Sequence, residues 1–137
     1  MKGEQLDVEL WIPTKDSEST LHATLASARA LDPKPKNIRL VDGGSSDGTI
    51  EIADSFDIDV VDQGDACGLS GGRNVALERT ITEYIAFIDD DVQPVPDWLG
   101  HLVNELDETG AAAATAPIRH YPTTLTERWG VKRLQFN

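Results

Sequence analysis

Three consecutive carboxylates, Asp89-Asp90-Asp91, follow directly on the apolar run Tyr84-Ile85-Ala86-Phe87-Ile88. Alternate residues of an extended chain point the same way, so Asp89 and Asp91 can converge while Asp90 points elsewhere. Two convergent hard oxygen ligands suit Mg²⁺ or Mn²⁺, usually shared with a substrate phosphate. The plainer alternative for a lone Asp-x-Asp in an acidic chain is a solvated turn. Two more polar stretches have chemical potential: Pro13-Thr14-Lys15-Asp16 and Asp42-Gly43-Gly44-Ser45. Gly43 and Gly44 would let backbone approach a flat or phosphorylated ligand, and Asp42 could accept hydrogen bonds from a base ring N–H or ribose hydroxyls. Asp42-Gly43-Gly44 is equally a good turn, and Asp47 a good cap. Gly68-Leu69-Ser70-Gly71-Gly72-Arg73-Asn74 opens a helix, where exposed backbone N–H groups favour anions. Arg73 would add a fixed positive charge facing a diphosphate, or pair with local acids. These glycines match neither the dinucleotide fingerprint nor the P-loop.

The elements needed to position these groups alternate along the chain. Val8, Leu10 and Ile12 make a strand ending at Pro13. Ser17 offers an N-cap for a helix whose apolar stripe is Leu21, Leu25 and Ala28. Further strands are expected at Ile38–Val41, Ile58–Val61 and Tyr84–Ile88, with helices at Thr49–Ser55 and Ser70–Thr80, the latter opened by Gly71-Gly72. Pro96 suits the first turn of a helix that buries Trp98, Leu99, Leu102, Val103 and Leu106 and stops at Gly110. Ala111–Ile118 reads as a returning strand and Thr123–Asn137 as a helix. Repeated βα units of this length predict an α/β fold, a mostly parallel, Rossmann-like doubly wound sheet flanked by helices. Each polar stretch then falls at the carboxyl end of a strand, where such sheets bind ligands.

Composition narrows the function. A chain of 137 residues is expected to form one domain, with a core over about residues 7–118 and an extension over 119–137. Its 24 acidic residues against 12 basic ones give a net charge of −12, which argues against nucleic-acid binding. The same excess fits a halophilic host, whose salt-rich cytoplasm screens self-repulsion. The single Cys67 cannot form an internal disulfide and is expected to be a small packed residue. With no signal-like or membrane-length apolar stretch, a cytoplasmic location is expected, or one peripheral to the inner face of the membrane.

Five segments in order resemble the family 2 glycosyltransferases of GT-A fold: Trp11–Glu18, Val41–Thr49, Gly71–Asn74, Phe87–Asp91 and Pro96–Leu99. The resemblance covers the family's nucleotide-binding half and implies transfer of a sugar from a nucleoside-diphosphate sugar, a UDP-sugar first, to an acceptor, with inversion. It places Pro13, Thr14 and Asp16 in the first loop lining the nucleotide pocket. Asp42 matches the Asp that binds the base, with Gly43 where the family often has a second acidic residue. Arg73 and Asn74 match a segment near the diphosphate. Asp89 and Asp91 match the metal-binding DxD pair, Asp91 the direct ligand of Mn²⁺ or Mg²⁺ and Asp89 nearer the ribose or metal, with Asp90 beside the nucleotide.

The family's catalytic base lies downstream of the DxD in a region this sequence does not reach, so no catalytic residue is identified. Glu127-Arg128-Trp129 reads as a packing or surface segment, and His120 as a surface histidine or a third metal ligand. The alternative function is a non-catalytic sugar-nucleotide-binding module or subunit. A Ca²⁺-binding domain lacks the required loop. Sheet surface left bare by missing strands would favour a homodimer.

Overall fold

A computed structural model describes residues 5–119. The elements alternate as β1 (Leu6–Thr14), α1 (Leu21–Arg29), β2 (Pro35–Asp42), α2 (Thr49–Ser55), β3 (Asp59–Asp62), α3 (Gly68–Arg79), β4 (Tyr84–Phe87) and α4 (Trp98–Thr109). All pairings are parallel, in the order β3-β2-β1-β4. The chain builds outward from β1 on one side and then adds β4 on the other. The strand order therefore reverses between β1 and β4, the kind of point above which open α/β sheets bind ligands.

The strand pleat sorts the core into two layers. Val8, Leu10, Ile12 and Leu40 face Leu21 and Leu25 of α1, Ala53 of α2 and Leu99 of α4. Trp11, Val41 and Val61 face Ala76 of α3. Helices thus cover both faces, as parallel strands buried on both sides require. Tyr84 donates its hydroxyl hydrogen to Asp107, tying β4 to α4.

One charged side chain is buried within this sheet. Glu9, 2% exposed, shares the α3 face with Trp11. Its carboxylate accepts from the Trp11 indole N–H at 3.3 Å and the Asn37 amide at 3.4 Å. The Arg39 guanidinium stacks 4.5 Å above the Trp11 ring and pairs with Asp59 at 2.6 Å.

Several boundaries depart from expectation. Ser17 is not a side-chain N-cap: α1 begins at Leu21, and the Ser17 carbonyl accepts the N–H groups of Thr20 and Leu21 at 3.1 and 2.9 Å. Gly71 and Gly72 lie inside α3, which starts at Gly68. Pro96 precedes α4, and its carbonyl accepts the Asp32 N–H at 2.9 Å. Gly110 does stop that helix, in the left-handed conformation (φ 67°) that glycine adopts without a Cβ clash. Ala111–Ile118 forms no strand. Alanine has low strand propensity and Pro117 lacks a donor for the ladder, so β4 remains an edge among the described residues. His120, Glu127-Arg128-Trp129 and the Thr123–Asn137 helix lie outside the described residues. Among those described, no helix is long and apolar enough to cross a membrane.

Candidate functional site

The residues singled out from the sequence gather at the carboxyl edge of the sheet, in two groups. Over β1 and β2, the first and second loops are laced together. Gly43 N–H donates to the Thr14 carbonyl at 2.9 Å, continuing the pairing of Thr14 with Asp42. Asp16 N–H donates to the Ser45 hydroxyl at 2.9 Å, and Ser46 N–H returns to the Asp16 carboxylate at 2.8 Å. Ser17 N–H donates to the Thr49 hydroxyl at 2.8 Å and Gly48 N–H to the Glu18 carboxylate at 2.7 Å. Asp16 sits at φ 50°, a left-handed conformation that Asp tolerates better than most residues. Pro13 is buried below it and Lys15 exposed beside it.

Asp42 is half-buried, and its carboxylate is turned into its own loop. It accepts N–H groups of Gly44 at 3.1 Å and Ser45 at 3.0 Å, and the Ser45 hydroxyl at 2.5 Å. Gly44, at φ 91°, closes that turn in a conformation L side chains rarely adopt. Asp47 accepts from the Thr49 hydroxyl and from the N–H groups of Thr49 at 3.0 Å and Glu18 at 3.2 Å. The Thr49 hydroxyl and then these backbone donors hold its carboxyl below the usual range.

Over β4 the arrangement is different. Asp90 turns inward, accepting the Thr14 hydroxyl at 3.1 Å and the Ser17 hydroxyl, while its carbonyl accepts the Thr24 hydroxyl at 3.0 Å. Asp89 and Asp91 are exposed. Arg73, on α3, reaches Asp89 at 3.4 Å with its guanidinium 5.9 Å from the Phe87 ring centroid. The side chains of Asp91 and Asn74 have no hydrogen-bond or ion-pair partner among the described residues. No third His, Cys, Asp or Glu joins Asp89 and Asp91 in a metal-holding group among those residues. Two exposed hard oxygen donors with room for other ligands fit Mg²⁺ or Mn²⁺ shared with a diphosphate better than a closed protein cage.

Three contributors were not singled out as site residues in the sequence. Ser17 and Thr24 anchor Asp90 across long chain separations. Gln63, just past β3, donates its side-chain amide to the carbonyls of Ala66 and Gly68 at 2.6 and 2.8 Å. The signal for Gln63 was its position: a polar residue at the carboxyl end of a strand, like the other three groups. A Cβ at Gly43 or Gly72 would lie 3.3 or 3.0 Å from the Gln63 side-chain oxygen, so these glycines leave it room.

A four-stranded parallel sheet with helices on both faces matches the GT-A fold of glycosyltransferase structures. The chain belongs to glycosyl transferase family 2, whose model matches residues 10–137. It is 40% identical over 62 residues to the succinoglycan biosynthesis protein ExoM of Rhizobium meliloti, covering 44% of this chain and 20% of that protein. It is 33% identical over 84 residues to the glycosyltransferase AglE of Haloferax volcanii, covering 57% and 28%. The pre-mycofactocin glycosyltransferase of Mycobacterium tuberculosis is 30% identical over 112 residues, 79% of this chain and 23% of that one. In structure, the chain is similar to glucosyl-3-phosphoglycerate synthase from M. tuberculosis, with TM-score 0.64 and 24% identity over 72% of this chain and 39% of that one. TarS of S. aureus gives TM-score 0.65 and 25% identity over 74% and 19%. The chain thus spans between a fifth and about two-fifths of the proteins it matches.

Proposed function

We propose that this chain is the donor-binding part of a metal-dependent glycosyltransferase that takes a nucleoside-diphosphate sugar, a UDP-sugar first among them. The observation that carries this reading is the exposed Asp89 and Asp91 beside Arg73, at the same sheet edge as the Asp42 loop. Glucosyl-3-phosphoglycerate synthase, of the same fold, is seen with Mn²⁺ and UDP, which supports the choice of ligand.

Asp91, with Asp89 beside it, would hold Mn²⁺ or Mg²⁺, which stabilises charge on a departing diphosphate. Arg73 would exchange its contact with Asp89 for the diphosphate. Thr14 and Asp16 line the pocket as parts of the first loop, and Asp42 with Gly43 holds the base end. Asp90 acts from below, fixing the DxD backbone to β1 and α1. Asn74 offers an unengaged amide to the phosphate or ribose. A hydroxyl of the acceptor attacks the anomeric carbon with inversion, and the bond to the diphosphate breaks as the nucleoside diphosphate leaves.

Titration of UDP into the protein with Mn²⁺, then with EDTA, tests this. Binding should require the metal, and Asp91→Asn should weaken it about a hundredfold or more, since even groups supporting a metal ligand matter by ten- to a hundredfold. Equal binding by that variant removes Asp91 from the metal site.

A further inference from the structure

We propose that Gln63 reads the nucleotide base, accepting a hydrogen bond from a ring N–H through its side-chain oxygen; this rests on the donor-site reading above. The first argument is the orientation of its amide. Both groups facing Nε2 are carbonyls, of Ala66 at 2.6 Å and Gly68 at 2.8 Å. Carbonyls only accept, so the amide cannot rotate by half a turn without setting oxygen against oxygen. The position of Oε1 is therefore fixed by the protein. That oxygen has no hydrogen-bond partner among the described residues.

The second argument is where the oxygen lies. A Cβ at Gly43 would come within 3.3 Å of it and one at Gly72 within 3.0 Å, so it stands between the second loop and α3. Neither glycine carries a side chain that would cover Oε1. Asp42, the other acceptor nearby, already receives hydrogens from Gly44 and Ser45.

The third argument is distance along the edge. Gln63 follows β3, and Asp89 and Asp91 follow β4, at opposite ends of the order β3-β2-β1-β4. Three strand spacings of about 4.8 Å separate them, roughly 14 Å in all. An extended nucleoside diphosphate spans a comparable length, so a diphosphate at the acidic pair puts its base near Gln63. A locked acceptor favours uracil, whose N3 carries hydrogen, over cytosine, whose N3 presents a lone pair to the same oxygen.

The test is calorimetric titration of UDP, CDP and N3-methyl-UDP into the protein with Mn²⁺. UDP should bind about tenfold more tightly than either of the others, because a site built around a substrate N–H rejects analogues lacking it. In Gln63→Met, with folding checked by thermal melting, the UDP affinity should fall to that of CDP. Equal binding of UDP and N3-methyl-UDP to the unaltered protein overturns the proposal, and that comparison needs no variant. Loss of UDP and CDP binding by the same factor in Gln63→Met also overturns it, since that marks a role confined to loop structure. Failure of all three nucleotides to bind the folded, unaltered protein instead overturns the donor-site reading itself.

Discussion

The two ends of the carboxyl edge are built on opposite plans. Over β1 and β2, polar side chains of one loop are spent on the backbone of the other: Asp16, Glu18, Ser45, Asp47 and Thr49 each accept an N–H from the facing loop. Over β4, Asp89 and Asp91 are exposed, with Arg73 reaching Asp89, and the Asp90 carboxylate and carbonyl tie the turn to the Thr14, Ser17 and Thr24 hydroxyls. The lesson is a division of labour between rigidity and vacancy. A base is bound by shape and hydrogen bonds, which benefit from a preset frame. A metal and a diphosphate bring their own strong charges, and need ligands not already committed.

Removing the Asp90 carboxylate should have the largest structural effect. Asp90→Ala removes the acceptor of the Thr14 and Ser17 hydroxyls and should cost about 2 kcal/mol in chemical denaturation. Asp91→Asn, one residue on, should change stability by no more than about 0.5 kcal/mol while losing metal-dependent binding. Equal destabilisation by the two variants would erase the distinction between anchor and ligand. Ser45→Ala is a milder test of the laced end, removing the acceptor of Asp16 N–H and a donor to Asp42. A loss of about 1 kcal/mol is expected, with UDP affinity falling along with stability.

The smallest effect is one of pH. Asp47 has a folded carboxyl held below its unfolded value near 3.9. Its contribution is fully present above that value and is lost as pH falls through the lower, folded one. The difference in denaturation midpoint between the protein and Asp47→Asn should thus shrink between about pH 5 and about pH 2. A constant difference would show that Asp47 acts through shape and not charge.

How much of this was readable beforehand depended on range. The helix Thr49–Ser55 and the stop at Gly110 follow from local rules, and the structure places both as expected. The order of the strands' polar ends followed from βα alternation. Ser17 was misread because its hydroxyl serves Asp90, far along the chain, instead of its own helix. Gly71 and Gly72 looked like a helix start, whereas their smallness answers to Gln63 and Ala66 packed against α3. The run Ala111–Ile118 had strand-like length and no strand chemistry, and only the observed sheet decides that. Burial of Glu9 was invisible, since alternation alone makes a Glu between Val8 and Leu10 look solvent-facing.

That buried Glu9 bears on how the chain avoids error. A slip of one residue in β1 would swap its faces, carrying the carboxylate into the layer of Leu25 and Leu40 and pulling Leu10 toward Asn37 and Arg39. An apolar residue at position 9 would make that wrong pairing nearly as good as the right one, because both faces of β1 would then suit either layer. Glu9 thus adds little to the depth of the native state and much to the height of its nearest competitor. It works as a proofreader of strand alignment at the centre of the sheet.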